Sequence, residues 1–154
     1  MTLYDGYKGD DEEEEEEEEQ KKEEPKPQDG LLGRMLKART VLVTGEVNQE
    51  LAEKVVSQLL LLDAESHDPI RVFITSNGGH VDSGFAIHDV MRYVRSEVIS
   101  IGAGWVASIA VPILFGAPKK ENRLSLPNTR FLIHQPSGGA LGHAADIRIE
   151  AQEI

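Results

Sequence analysis

Cysteine is absent from the 154 residues, which excludes disulfide frameworks, thiol nucleophiles and cysteine-ligated zinc. Basic charge is also short. Sixteen Lys and Arg stand against 27 Asp and Glu, a formal balance of −11, so the chain lacks the cationic footprint of a nucleic-acid binder. No apolar run approaches the roughly 20 residues of a membrane span, and the acidic start resembles no secretory or transit signal. There is no internal repeat. A Gly-Lys-Ser/Thr phosphate loop is missing, so nucleotide hydrolysis is not expected of this chain. These absences leave a cytoplasmic, soluble globular domain as the expectation.

The charge is concentrated at one end. Residues 1–30 carry 14 acids, including the unbroken run Glu12–Glu19, and four lysines. The body, residues 31–154, is left with 13 acids and 12 bases, a net −1. A block of like charge with little apolar surface cannot offset the entropy of ordering, so residues 1–30 are expected to form a disordered acidic tail. The body is long enough for one hydrophobic core and too short for two.

Within the body, Leu31 to Ala38 predicts a short helix, Thr40 to Thr44 a strand, and Asn48 the N-cap of a helix reaching about Asp63. That helix has Leu51, Val55, Leu59 and Leu62 on one stripe. Ile70 to Thr75 and Val98 to Ile101 read as buried strands. Ser83 to Arg95 reads as an amphipathic helix with Phe85, Ile87, Val90, Met91 and Val94 mostly inward, and Ala107 to Ala117 as another helix. Extended runs follow near Arg123 to Leu126 and Arg130 to His134. A Gly-rich stretch, Ser137 to Gly142, precedes a helical start at Ala144. Strands alternating with helices imply an α/β fold of repeated β-α-β units around a largely parallel sheet.

In such sheets functional groups collect where strands end and helices begin. The first such junction is Thr75-Ser76-Asn77-Gly78-Gly79-His80, where adjacent glycines free the backbone to turn its amides into a cavity. The second, Gly102 to Ala110, surrounds the hydroxyl of Ser108 with small residues at a helix start. The third is His134, closing the apolar strand Phe131-Leu132-Ile133. Taken singly, Ser108 reads as a capping serine and His134 as a satisfied, half-buried histidine. Together with Gly79 they supply a nucleophile, a general base and an oxyanion donor. His67, His80, His88 and His143 have no metal-ligand spacing and read as structural or surface groups, so no metal or cofactor is expected.

These residues resemble the proteolytic subunit of the Clp protease, a serine-peptidase family, from about Leu31 to the last residue. The likeness is carried by Leu36-Lys37-Ala38-Arg39 before Val43-Thr44-Gly45, by Ile74-Thr75-Ser76-Asn77-Gly78-Gly79, and by Ala107-Ser108. It continues through Leu126-Pro127-Asn128-Thr129-Arg130, Ile133-His134-Gln135-Pro136, and Gly138-Gly139 before Ala145-Asp146-Ile147. The resemblance implies a crotonase-like fold and a peptidase of two stacked heptameric rings, degrading unfolded polypeptides delivered by an AAA+ unfoldase that spends the ATP. It matches Ser108 to the family nucleophile, His134 to its general base, and Gly79 and Ile109 to the positions whose amides form the oxyanion hole.

The sequence departs from the family in several places. Asn77 replaces the usual Pro, Ile109 the common Met, and the acidic run stands where a partly apolar pore loop is usual. The family's catalytic Asp would fall past Ile154, and Asp146 belongs to a helix-start motif instead. The chain therefore reads as truncated at its C-terminus, without most of the handle helix that meshes the rings. Loss of such an Asp costs about 10⁴-fold in comparable triads, so the competing expectation is an impaired or inactive ring subunit with a structural role. A hydratase or isomerase of the crotonase type is a weaker alternative on fold alone, because no Glu or Asp adjoins Ser108 in sequence.

Overall fold

In the computed structural model, which describes residues 30–135 and 143–153, the β-branched runs become parallel strands and the amphipathic stretches the helices between them. The expected disordered tail, apart from Gly30, and the Gly-rich stretch Ser137–Gly142 lie outside the described residues. The order is α1 (Leu31–Lys37), β1 (Thr40–Val47), α2 (Gln49–Glu65), β2 (Ile70–Gly79), α3 (Val81–Tyr93), β3 (Val98–Ala107) and α4 (Ala110–Leu114). A single 3-10 turn at Lys120–Asn122 then leads to β4 (Arg123–Ser125), β5 (Arg130–Leu132) and α5 (Ala144–Glu153).

The sheet runs β1-β2-β3-β4, with β5 on the far half of β3, and every pairing is parallel. Parallel neighbours need a crossover connection, and α2 and α3 provide it. Asn48 caps α2 as its sequence predicts, its side-chain oxygen accepting from the Leu51 amide at 2.9 Å. Ala52, Val55, Leu59 and Leu62 recur at helical spacing and are buried against Val41, Val43, Val72 and Ile74 of the strands. Each large aliphatic side chain in that layer stabilises by about 1.5–3 kcal/mol.

Arg39 ties the strand-starting edge together. Its backbone is left-handed (φ 49°), and its guanidinium donates to the carbonyls of Leu62 (2.9 Å), Ser66 (3.0 Å) and Asp68 (2.7 Å) and to Ser96 Oγ (3.2 Å). A cation there also complements the negative end of α2. Ser96 in turn donates its amide and hydroxyl to Asp63 Oδ1, both at 2.8 Å.

Several expectations change. The strand Ile70 to Thr75 continues through Gly79, so Gly78-Gly79 is strand rather than turn. β1 also runs on, and the pairs Glu46–Gly78 and Val47–Gly79 hold the ladder after a register shift at Gly45. β3 extends from Ile101 to Ala107 because β5 pairs with its second half, Trp105 opposite Arg130. The helix expected from Ala107 to Ala117 shortens to Ala110–Leu114, since Ala107 belongs to β3. Phe85, expected inward, is 46% exposed. No helix among the described residues is long and apolar enough to cross a membrane.

Candidate active site

Ser108 sits in the turn between β3 and α4 with a φ of 54°. A side-chain-bearing residue in that region is strained, by an amount on the order of 1–2 kcal/mol. The turn is pinned from both sides. The Ser108 amide donates to the Leu132 carbonyl at the end of β5 (2.9 Å), and its carbonyl accepts from the Val111 amide in the first turn of α4 (3.0 Å). The N-cap of α4 is Ile109, with no side-chain cap bond. The Ser108 hydroxyl thus caps nothing, contrary to the reading of Ser108 alone as a capping serine. Among the described residues it enters no side-chain hydrogen bond.

Gly78 lies directly beneath that hydroxyl. A Cβ built on Gly78 would come within 2.6 Å of Ser108 Cβ and 3.2 Å of Ser108 Oγ, and Gly78 itself holds φ at 92°. Only glycine meets both demands. The sequence pattern pointed to Gly79 and missed the role of its neighbour. The signal was the strand period, which buries Gly78 and exposes Gly79.

Gly79 takes a different position. The amide of His80 donates to the Val47 carbonyl at 2.7 Å. Gly79 itself pairs with Val47 of β1, and a Cβ there would run into the Val47 carbonyl. Ile109 is buried, and its amide donates to no backbone group among the described residues. The Ile109 amide therefore stands outside the hydrogen bonding of α4 among the described residues.

His134 lies two residues beyond β5 and is exposed, not half-buried. It shares a cavity of about 270 Å³ with Ser108. No hydrogen bond joins the two side chains among the described residues, and no carboxylate lines the cavity. The rest of the lining is apolar: Val81, Phe85, Ile109, Val111, Pro112, Phe115 and Ile133. Phe85 and Ile133 account for their own exposure here, since they wall a cavity instead of joining the core.

The other histidines are placed apart from this cavity. His80 caps α3, its Nδ1 meeting the Ser83 hydroxyl at 2.8 Å and amide at 3.3 Å. His88 pairs with Asp89 at 2.9 Å and His67 with Asp63 at 3.4 Å. No cluster of three potential metal ligands occurs among the described residues. The groups with displaced acidity also lie elsewhere. Burial pushes the Asp63 carboxyl up, but hydrogen bonds from Ser96 and Arg95 and the His67 charge outweigh it and hold Asp63 below the usual carboxylate range. Glu97 is held low by bonds from Asn122 and Lys119, and Lys119 is held high by Glu97.

Comparison with known proteins adds an independent line. Residues 22–154 match the family model described as Clp protease. The chain is 55% identical over 120 residues to the ATP-dependent Clp protease proteolytic subunit 3 of Rhizobium meliloti, covering 78% of this chain and 61% of that protein. It is 52% identical over 124 residues to proteolytic subunit 2 of Pseudomonas aeruginosa, covering 80% and 61%. Among solved structures, ClpP1 from Listeria monocytogenes superimposes with a TM-score of 0.68 at 49% identity, covering 80% of this chain and 72% of that one. A mutant of that protein gives 0.71 at 51% identity, covering 80% and 68%. The chain thus spans about three-fifths of the length of the curated relatives it matches.

Proposed function

The chain belongs to the Clp protease family, and from that membership we propose that it is a serine endopeptidase subunit of an ATP-dependent Clp protease. The observation that carries this reading is that an uncommitted hydroxyl, Ser108, and an imidazole, His134, open on one apolar cavity. Ser108 Oγ attacks the peptide carbonyl while His134 takes the hydroxyl proton and later returns it to the leaving amine. The amides of Gly79 and Ile109 stabilise the negative charge on the carbonyl oxygen. The apolar walls around Phe85 and Ile133 suit an apolar side chain of the substrate.

The wider assignment follows the same reading. Substrates are unfolded polypeptides, delivered by a Clp-type AAA+ unfoldase that spends the ATP, and the subunits form heptameric rings in the cytoplasm. The chemistry of Ser108 and His134 needs no cofactor of the chain's own.

One observation favours a second reading. No carboxylate lines the cavity beside His134 among the described residues, and losing the carboxylate partner of a catalytic His lowers the rate by about 10⁴ in comparable triads. A ring subunit of impaired or absent activity would fit that chemistry. A fluorophosphonate probe applied to the assembled protein separates the two. The peptidase reading expects covalent labelling at Ser108, lost in Ser108→Ala and slowed strongly in His134→Ala. An assembled particle that never labels, or labels equally without Ser108, refutes it.

A further inference from the structure

At the opposite end of the strands from Ser108 is a second cavity, of about 420 Å³, lined by Lys37, Ala38, Arg39, Pro69, Arg71 and Ile99. All three charged lining residues are cations. None of them is in an ion pair among the described residues. Arg71 donates to the Ala38 carbonyl at 2.9 Å, and the partners of Arg39 are carbonyls and a hydroxyl. Neutral acceptors fix the direction of a guanidinium without cancelling its charge. The neighbouring acid, Asp68, engages the Ser66 hydroxyl at 3.0 Å.

The sheet register sets Arg71 beside Ile99 at this cavity. Thr40 pairs with Arg71, and Arg71 with Ile99, so the three side chains stand on one face at the strand-starting edge. α1 delivers Lys37 to the same place. Arg39 is engaged at the carbonyl end of α2, and in a body of net −1 Lys37 and Arg71 leave a local excess of positive charge around the cavity.

The chain itself carries a complementary segment. Glu12–Glu19 places eight consecutive carboxylates ahead of Gly30, where α1 is capped. The stretch from Glu19 to Gly30 can extend up to about 35 Å, and α1 is only about 10 Å long. The run therefore reaches the cavity with chain to spare. Eight like charges repel one another, and opposite charge at a cavity relieves that repulsion as well as supplying attraction. We propose that the acidic run Glu12–Glu19 docks in the Lys37–Arg39–Arg71 cavity of its own chain and covers the strand-starting edge of the sheet. The docked run lies away from the Ser108 cavity, so this proposal stands whether or not the peptidase reading does.

Carbodiimide cross-linking of the full chain tests it, because the reagent condenses a carboxylate and an amine into an amide with loss of water. Mass spectrometry then compares links from Glu12–Glu19 to Lys37 with links to the exposed Lys54 and Lys120. Links to Lys37 should predominate. They should fall about fivefold when NaCl rises from about 0.1 to about 1 M and the screening length drops from about 10 to about 3 Å. Arg71→Gln should lower them similarly, although Lys37 and its distance along the chain are unchanged. Should Arg71→Gln disturb the fold, changing Glu12 to Glu15 together to Gln provides the alternative, with links from Glu16–Glu19 to Lys37 falling. Mixed ¹⁴N and ¹⁵N protein should show the links within one chain. Links spread evenly over the lysines, links insensitive to salt and to both variants, or links joining different copies would overturn the proposal.

Discussion

Gly84 offers a test in which local propensity and tertiary packing predict opposite outcomes. It lies in the first turn of α3, and Gly→Ala within a helix ordinarily stabilises by about 1 kcal/mol. Here a Cβ on Gly84 would overlap Ile109 Cγ1 and stand 3.1 Å from Ile109 Cδ1. Ile109 is 5% exposed, so its side chain has no room to swing aside. Overpacking of this kind costs about 1–3 kcal/mol, and overlap with the trunk of a branched side chain belongs at the upper end. The net expectation for Gly84→Ala is a loss of about 2 kcal/mol. For a body of this size that lowers Tm by about 6 °C. Because Ile109 follows Ser108, fluorophosphonate labelling should slow as well. Ile109→Ala removes the overlapping atoms and alone costs about 2–5 kcal/mol. The double variant should therefore lose less than the two singles combined, by about 1–3 kcal/mol in a double-mutant cycle. A Tm that rises in Gly84→Ala, or strict additivity with Ile109→Ala, would refute the packing of α3 on the turn that carries Ser108.

Three further outcomes are expected. Ser108→Gly and Ser108→Ala should both abolish labelling, yet the Gly variant should be the more stable by about 1 kcal/mol in denaturant titration, because only glycine holds a positive φ without strain; an Ala variant of equal stability counts against the left-handed turn. Arg39→Lys keeps the charge but loses the planar fork that reaches four acceptors, so the denaturation midpoint should fall by the equivalent of about 2–4 kcal/mol. Asp63 has a folded pKa below its ordinary value, so its contribution is complete above that value and drains away as pH falls through the lowered one. Urea titrations at successive pH values below about 5 should show wild type losing stability more steeply than Asp63→Asn, and parallel slopes would remove the assigned role of Ser96.

The parts of the fold that sequence makes legible are those governed by local periodicity. Val55, Leu59 and Leu62 recur at helical spacing, and that stripe alone locates α2 and its buried face. Asn48 marks the helix start because its side chain satisfies an otherwise orphaned amide. Ile70 to Thr75 announces a strand because β-branched residues suit an extended, buried backbone. Glycine-rich segments are where such reasoning fails. Gly78, Gly79, Gly102 and Gly104 carry no side-chain pattern, so whether they turn or extend depends on which strand lies alongside.

For the site, the residue types and their order along the chain mark out Ser108, His134 and Gly79, and the family likeness adds Ile109. Their meeting is a tertiary matter. Ser108 and His134 share a cavity because the second half of β3 pairs with β5, and that ladder forms between segments more than twenty residues apart. The positive φ of Ser108 arises the same way, from a backbone held at both ends by Leu132 and Val111. Side-chain chemistry is written residue by residue, so sequence determined which groups could react. Proximity depends on non-local pairing and on the absence of a Cβ at Gly78, so only the tertiary structure decided which of them meet.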